Sequence, residues 1–251
     1  MTGVAARLYC FPHAGATAAV YRPWKEAAGP DLRVVGLDRP GRGSAARHPK
    51  IGDLPSLVDW TAARLLADLG EGRAEDPGLR WATFGHSFGA LLSLAVAARV
   101  AAALDEPPAC AVLSAALPPR TQEVGDVTTS LSDEELLAKI MRDGGTPPEA
   151  VSSSAMAGYF LSLMREDYGI RAQYPSQTGL RVDFPLALVA AADDVHVPPE
   201  RMWEWAEHSS EPCRRLELAG DHFAAIRDPR EVLALVHENT TRAADLADKG
   251  R

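Results

Sequence analysis

Three short stretches of this chain carry side chains that could cooperate in nucleophilic chemistry. Ser87 lies in "GHSFG", Asp193 and Asp194 in "AAADDVHVPPE", and His222 in "LAGDHFAAIRDP". A serine hydroxyl is a weak nucleophile near neutral pH until a base takes its proton, and imidazole is the usual base. A carboxylate then fixes the imidazole's orientation and balances the charge it gains. Attack on a carbonyl also calls for two N–H groups aimed at the oxygen that collects negative charge. Phe88, immediately after the serine, supplies one. The stretch "CFPHAGATAAVY", with small residues that let a backbone approach a ligand, supplies the other. Ala14 is the expected donor, although spacing alone does not separate it from Gly15.

These residues work together only if the chain delivers them to one edge. Apolar runs at residues 6–11, 32–37, 79–84, 109–116, 185–191 and 213–219 read as strands. Between them lie helical patterns, such as Leu54, Leu57, Val58, Thr61, Leu65 and Leu69. The run from Ser87 to Leu104 is apolar nearly all round and should be buried. Strands alternating with helices predict an α/β fold, a mostly parallel central sheet flanked by helices. Ser87 then stands on a strand-to-helix turn, where Gly85 and Gly89 leave room for a strained backbone. Asp194 and His222 each follow a later strand, at the carboxyl edge where sites in such sheets assemble. The chain order Ser87, Asp194, His222 is that of the α/β-hydrolases. Asp194 is preferred to Asp193 because it stands three residues before Val197 in "DxxVP". His86 adjoins the serine, but its side chain should diverge across the turn. His48 reads as a loop residue, and His208 and His237 as helix residues.

Residues 118–178 break the alternation. They read as helices, one opened by Ser132 with Glu135 as a capping box and closed by Gly144 and Gly145. The expectation is a single domain over residues 1–251 with a helical lid insertion at about 118–178. Met156, Tyr159, Phe160, Leu163 and Met164 would give that lid an apolar face.

Composition narrows the partners. The chain has 251 residues, 46% hydrophobic and 24% charged, with a net charge of −8. That sign disfavours nucleic acid and anionic membranes. Three scattered cysteines support neither a disulfide framework nor a metal site. No apolar run approaches the roughly 18 residues of a membrane span, and no signal-peptide core opens the chain, so a cytoplasmic location is expected. The tail after about Thr241 is a candidate for fraying.

The whole chain resembles the type II (external, editing) thioesterases of polyketide and nonribosomal peptide biosynthesis. The resemblance rests on "LYCFPHAGATAAVYRPW", "LDRPGRGSAARHP", "FGHSFGALLSLAVA", "MRDGGTPPEA", "REDY", "ADDVHVPPERMWEW" and "LAGDHFAAIRDP", in the expected order over nearly the full length. It implies a triad of Ser87, Asp194 and His222 and an oxyanion hole formed by Ala14 and Phe88. The implied substrate is an acyl or aminoacyl thioester on the phosphopantetheine arm of an acyl or peptidyl carrier protein. Neither a metal nor any other cofactor is implied. Arg39 and Arg42, in the locally basic "DRPGRG", are candidates for contact with the pantetheine phosphate or an acidic carrier. Two departures stand out: Ala16 replaces a glycine after "PHAG", and Asp221 sits beside His222 in "GDHF", where it could alter that histidine's electrostatics. Three other readings share parts of the pattern: a general carboxylesterase or lipase, an acyltransferase or cyclase using the same acyl-serine, and a catalytically idle carrier-binding module.

Overall fold

A computed structural model describes residues 5–122, 130–144, 146 and 148–249. Its six strands are β1 (Ala6–Phe11), β2 (Leu32–Gly36), β3 (Arg80–His86), β4 (Ala111–Ser114), β5 (Leu186–Ala191) and β6 (Arg214–Leu218). All pair in parallel, in the order β2-β1-β3-β4-β5-β6. Each lies within a predicted strand except β3, which runs on through Gly85 and His86. There Gly85 pairs with Leu113 and His86 with Ser114, so the sheet carries the backbone right up to the serine.

Alternation along the strands divides the core between two faces. In β1, Tyr9 and Phe11 join one cluster, while Ala6, Leu8 and Cys10 join the other. The first face is covered by α2 (Leu54–Glu75) and α3 (Phe88–Leu104). Helix α2 is capped by the Asp53 carboxylate, which accepts the Ser56 N–H, and it buries Leu54, Leu57, Thr61, Leu65 and Leu69 at helical spacing. The second face is covered by α1 (Arg22–Ala27) and the last helix, which inserts Val232, Leu235 and Val236. That last helix begins at Arg230 and stays helical to Lys249, past the expected point of fraying.

Four short or medium helices complete the framework: α4 (Asp133–Asp143), α5 (Ser154–Arg171), α6 (Pro199–Met202) and α7 (Ala224–Arg227). The last helix is therefore α8 (Arg230–Lys249). Helices α4 and α5 both lie between β4 and β5. The capping box of α4 is formed from both sides, with Glu135 N–H on the Ser132 hydroxyl and Ser132 N–H on the Glu135 carboxylate. Gly144 ends that helix at φ +79°, and Gly145 lies outside the described residues. Leu136, Ile140, Leu161, Met164 and Tyr168 form a small apolar cluster of their own between α4 and α5.

From β1 the chain adds β2 on one side and then crosses to add β3 on the other. Such a reversal opens a crevice at the carboxyl ends of β1 and β3. The loop after β1 and the turn after β3 meet there. A Cβ on Gly89 would come within 2.2 Å of the Phe11 carbonyl oxygen. Gly89→Ala is therefore expected to destabilise the fold by about 3 kcal/mol or more, since backbone cannot move aside as a side chain can. Gly70, exposed on α2 with no atom near an added Cβ, should respond oppositely. Gly70→Ala is expected to stabilise by about 0.5–1 kcal/mol through helix propensity and a less free unfolded chain. Urea denaturation of both variants checks the pair.

Candidate active site

Ser87 occupies the single residue between β3 and α3, at φ 52° and ψ −117°. A positive φ is costly for a residue with a Cβ and persists only where the surroundings over-determine it. They do so here. Ser87 N–H donates to the Ser114 carbonyl at 2.8 Å. A Cβ on Gly85 would stand 2.2 Å from the Gly89 carbonyl oxygen and 2.4 Å from Ser93 Oγ. The turn is thus as tight as the glycine spacing predicts, and Ser87 stands at the N-terminus of a buried helix, whose dipole favours negative charge.

Asp194 and His222 come together from separate loops. His222 Nδ1 and Asp194 Oδ2 are 2.7 Å apart, and the Asp194 side chain is fully enclosed. The other carboxylate oxygen accepts the N–H groups of His196 and Val197 at 2.9 and 3.0 Å. Burial pushes the Asp194 pKa up, but the hydrogen bond and charge of His222 and those two N–H groups outweigh it. The carboxyl therefore sits below its ordinary value. Asp193 is exposed and takes no part in this set. Asp221 is exposed too, and Arg227 holds it at 2.5 Å. That ion pair, more than His222, keeps the Asp221 carboxyl low, so its charge is largely answered by Arg227.

The loop after β1 bears on the choice between Ala14 and Gly15 as candidate donors. Gly15 N–H donates at 2.7 Å to Asp167, a fully buried carboxylate on α5. The Gly15 donor is therefore occupied, which leaves Ala14. Phe88 is held by Tyr174, whose hydroxyl donates to the Phe88 carbonyl at 2.5 Å and whose ring stacks on it with centroids 5.8 Å apart.

The structure corrects the expectation for Arg39 and Arg42. Both are buried, Arg42 to 1% exposure, and neither guanidinium faces outward. Arg42 grips Asp167 with two hydrogen bonds of 2.9 Å and reaches Glu166 at 3.3 Å, while Arg39 pairs with the same Asp167 and lies over the Phe88 ring. A basic loop next to a carboxylate-bearing helix folds its charges inward, because a buried acid needs partners.

Two histidines near the site were not singled out from the sequence. His13, in the loop after β1, packs edge-on against His86 and Phe223, and its Nδ1 is sealed from solvent without a partner. His196 stands edge-on to His222, with centroids 5.6 Å apart, and its Nε2 lies 3.7 Å from Asp143 of α4. His13 follows a strand, as His222 does, and that signal could have marked it. His86 is buried, with Nδ1 3.1 Å from Ser114 Oγ and its ring centroid 5.2 Å from that of His222.

Ser87, His222, Ala14 and Phe88 all line one cavity of about 740 Å³. Its roof includes Met156, Tyr159, Phe160, Leu163 and Met164 of α5, the whole of the expected apolar face. Met156 and Tyr159 are exposed at 45% and 58%, so the roof's outer part reaches solvent. The volume suits a small organic group. Among the described residues, no cluster of His, Cys, Asp or Glu could hold a metal ion, and no helix is long and apolar enough to cross a membrane.

The parallel sheet with its strand order, the strained serine turn after β3, and an acid and a histidine joined after β5 and β6 define the α/β-hydrolase fold. The thioesterase domain family matches residues 6–240, and the chain belongs to that family. A probable cadicidin biosynthesis thioesterase of Streptomyces griseus is 30% identical over 219 residues, 87% of this chain, although the match spans only 58% of that protein's length. Among solved structures, RedJ, the thioesterase from the prodiginine pathway of Streptomyces coelicolor, is 28% identical with a TM-score of 0.79, covering 94% of this chain and 90% of its own. The type II thioesterase BorB, from the borrelidin biosynthetic cluster, is 27% identical with a TM-score of 0.80, covering 95% and 94%.

Buried His86 and half-buried His13 give the site a pH signature. Burial, with a smaller contribution from His222, lowers His86 well below its usual value and His13 to about 4. Both are neutral in the fold and take up protons more readily when unfolded. Their contribution to stability is complete above the ordinary histidine pKa of roughly 6.5 and is lost as pH falls toward about 4. The melting temperature is therefore expected to drop between pH 6.5 and 4. The same decline should be shallower in His86→Gln, as read by thermal denaturation across that range.

Proposed function

We propose that the protein is a type II thioesterase that hydrolyses acyl or aminoacyl thioesters from the phosphopantetheine arm of carrier proteins in polyketide or nonribosomal peptide synthesis. It would clear arms blocked by aberrant groups. The reading is carried by the Asp194–His222 hydrogen bond, set in the cavity that Ser87 lines from its strained turn. Family membership and the pathway thioesterases to which the chain is similar support the substrate class.

In this mechanism Nδ1 of His222 is committed to Asp194, leaving Nε2 to take the Ser87 proton. Ser87 Oγ attacks the thioester carbonyl, and the oxygen gathers charge against the N–H groups of Ala14 and Phe88. As the C–S bond breaks, His222 returns the proton to the departing pantetheine sulfur. A water then attacks the acyl-serine. His222 takes its proton and passes it to Ser87 Oγ, and a free acid leaves. Asp194, held below its ordinary pKa, stays ionised and balances the imidazolium. Every group used belongs to the chain or to water, with no cofactor called on.

The segment 118–178, within a single domain over 1–251, acts as the lid. Its methionines and aromatic residues offer an adaptable apolar wall for varied acyl chains. The carrier would approach the exposed outer part of that wall. Arg39 and Arg42 are not part of that approach.

Ser87→Ala is expected to abolish turnover of acyl-loaded carrier protein. Asp194→Asn should lower kcat by roughly 10⁴-fold while leaving the fold intact, since it misorients the histidine. Single-turnover assays with intact-protein mass spectrometry read both. Across an acyl-carrier protein, an acyl-CoA and a nitrophenyl ester, kcat/KM should be highest for the carrier. A clear preference for the simple ester would favour a general carboxylesterase, and a transferred or cyclised acyl product would favour an acyltransferase. Absence of turnover in the wild-type protein, with carrier binding unchanged in Ser87→Ala, would leave only a carrier-binding role.

A further inference from the structure

Asp167 is not needed for the chemistry above, yet it is more completely buried and more densely bonded than most acids in the chain. Its carboxylate takes two hydrogen bonds from Arg42, pairs with Arg39, and accepts the Gly15 N–H at 2.7 Å. Arg42 and Gly15 lie 125 and 152 positions away in the chain. A buried acid matched to two guanidiniums is already neutralised and has no electrostatic need of a backbone donor. The backbone donor is the part that requires a further account.

We infer that Asp167 is a positioning residue for the oxyanion hole, tying the seating of α5 on the sheet to the orientation of Ala14 N–H. This rests on the thioesterase reading above. Fixing Gly15 N–H fixes the plane of the peptide between Ala14 and Gly15. Two rotations, about the Cα–C and N–Cα bonds of Ala14, then separate that plane from the Ala14 N–H. The loop has further anchors on either side. Ala16 N–H closes a turn on the His13 carbonyl at 3.2 Å, and the Tyr21 hydroxyl holds the Phe11 carbonyl at 2.7 Å. Gly15 itself has φ +75°, and a Cβ there would meet Met164 Sδ at 2.4 Å and Phe160 at 2.9 Å, so the loop lies directly beneath α5.

The two arginines make this arrangement compatible with catalysis. A lone carboxylate beside the oxyanion hole would repel the charge that forms there. With Arg39 and Arg42 on one carboxylate, the charge of Asp167 is answered where it sits, and Arg39 also lies 5.0 Å from the centre of the Phe88 ring. When α5 lifts, Asp167 leaves with it and Ala14 N–H loses its constraint. A site with an unseated lid would then bind thioesters yet turn them over slowly.

The test uses the full chain with an N-acetylcysteamine acyl thioester as substrate and a trifluoromethyl ketone as probe of the tetrahedral state. Asp167→Ala is expected to lower kcat by about 30- to 100-fold, short of the loss when a donor is removed outright. KM should stay within about twofold, and affinity for the ketone should fall by the same factor as kcat. Asp167→Asn keeps an oxygen for Gly15 N–H but loses the charge. A milder fall in kcat, about 3- to 10-fold with ketone affinity tracking it, is expected there. Should Asp167→Ala lack a cooperative melting transition, Asp167→Asn carries the test alone. Unchanged kcat in the folded variants, a fall in kcat without loss of ketone affinity, or a change confined to KM would each overturn the inference. Ser87→Ala separates the two levels. If it is inactive while the Asp167 variants match wild type, only the positioning role fails; if it is active, the thioesterase reading itself fails.

Discussion

The fold turns on one close approach between two pieces of backbone. The first turn of α3 passes so near the end of β1 that Gly89 leaves no space for a Cβ against the Phe11 carbonyl. Because β1 and β3 are neighbours in the sheet while the helices that follow them, α1 and α3, cover opposite faces, this is the place where a crevice must open. The approach brings the loop carrying Ala14 beside the turn carrying Ser87 and Phe88. Strain at Ser87 follows from the same crowding: the chain must reverse within one residue to enter α3. Sheet pairing through His86 and the Ser114 carbonyl then hold that residue in place.

Charge is distributed with equal economy. The chain is acidic overall, with a net charge of −8, yet two arginines are buried beneath the β1 loop. Arg39 and Arg42 sit there with a single fully buried acid between them, and the half-exposed Glu166 is shared with Lys50 at the rim. Around His222 the logic is reversed. His13 and His86 are kept neutral by desolvation, so neither adds a positive charge beside the imidazole that must gain a proton. An imidazolium at His222 answers to Asp194 alone among these close partners.

Local rules made much of this readable in advance. Strand positions followed from apolar runs, the capping box of α4 from Ser132 and Glu135, and the tight turn from two glycines flanking Ser87. Chain order and strand-end placement singled out Asp194 and His222, which the structure joins. What escaped was everything decided by contacts distant in sequence. Arg39 and Arg42 read as candidates for contact with a phosphate or an acidic carrier because nothing near them reveals an acid 125 or more positions later. The choice between Ala14 and Gly15 required the same acid. His196 is drawn toward Asp143 only by the way α4 lies across the sheet edge. The limits of β3 were missed by two residues, because pairing with β4, not hydrophobicity, carries that strand through Gly85 and His86.

The small cluster of Leu136, Ile140, Leu161, Met164 and Tyr168 stands apart from the two clusters that sandwich the sheet. A unit with its own apolar centre can part from the rest as a body while the sheet stays folded. Its moorings are mixed: Ile170 and Tyr174 pack into the sheet's own cluster, and the Asp167 cluster and the ties of Gln173 to Leu54 and Gly52 are polar. Polar moorings lose strength where water enters and recover it where water is expelled. How firmly this cover is held therefore depends in part on how wet the cavity beneath it is.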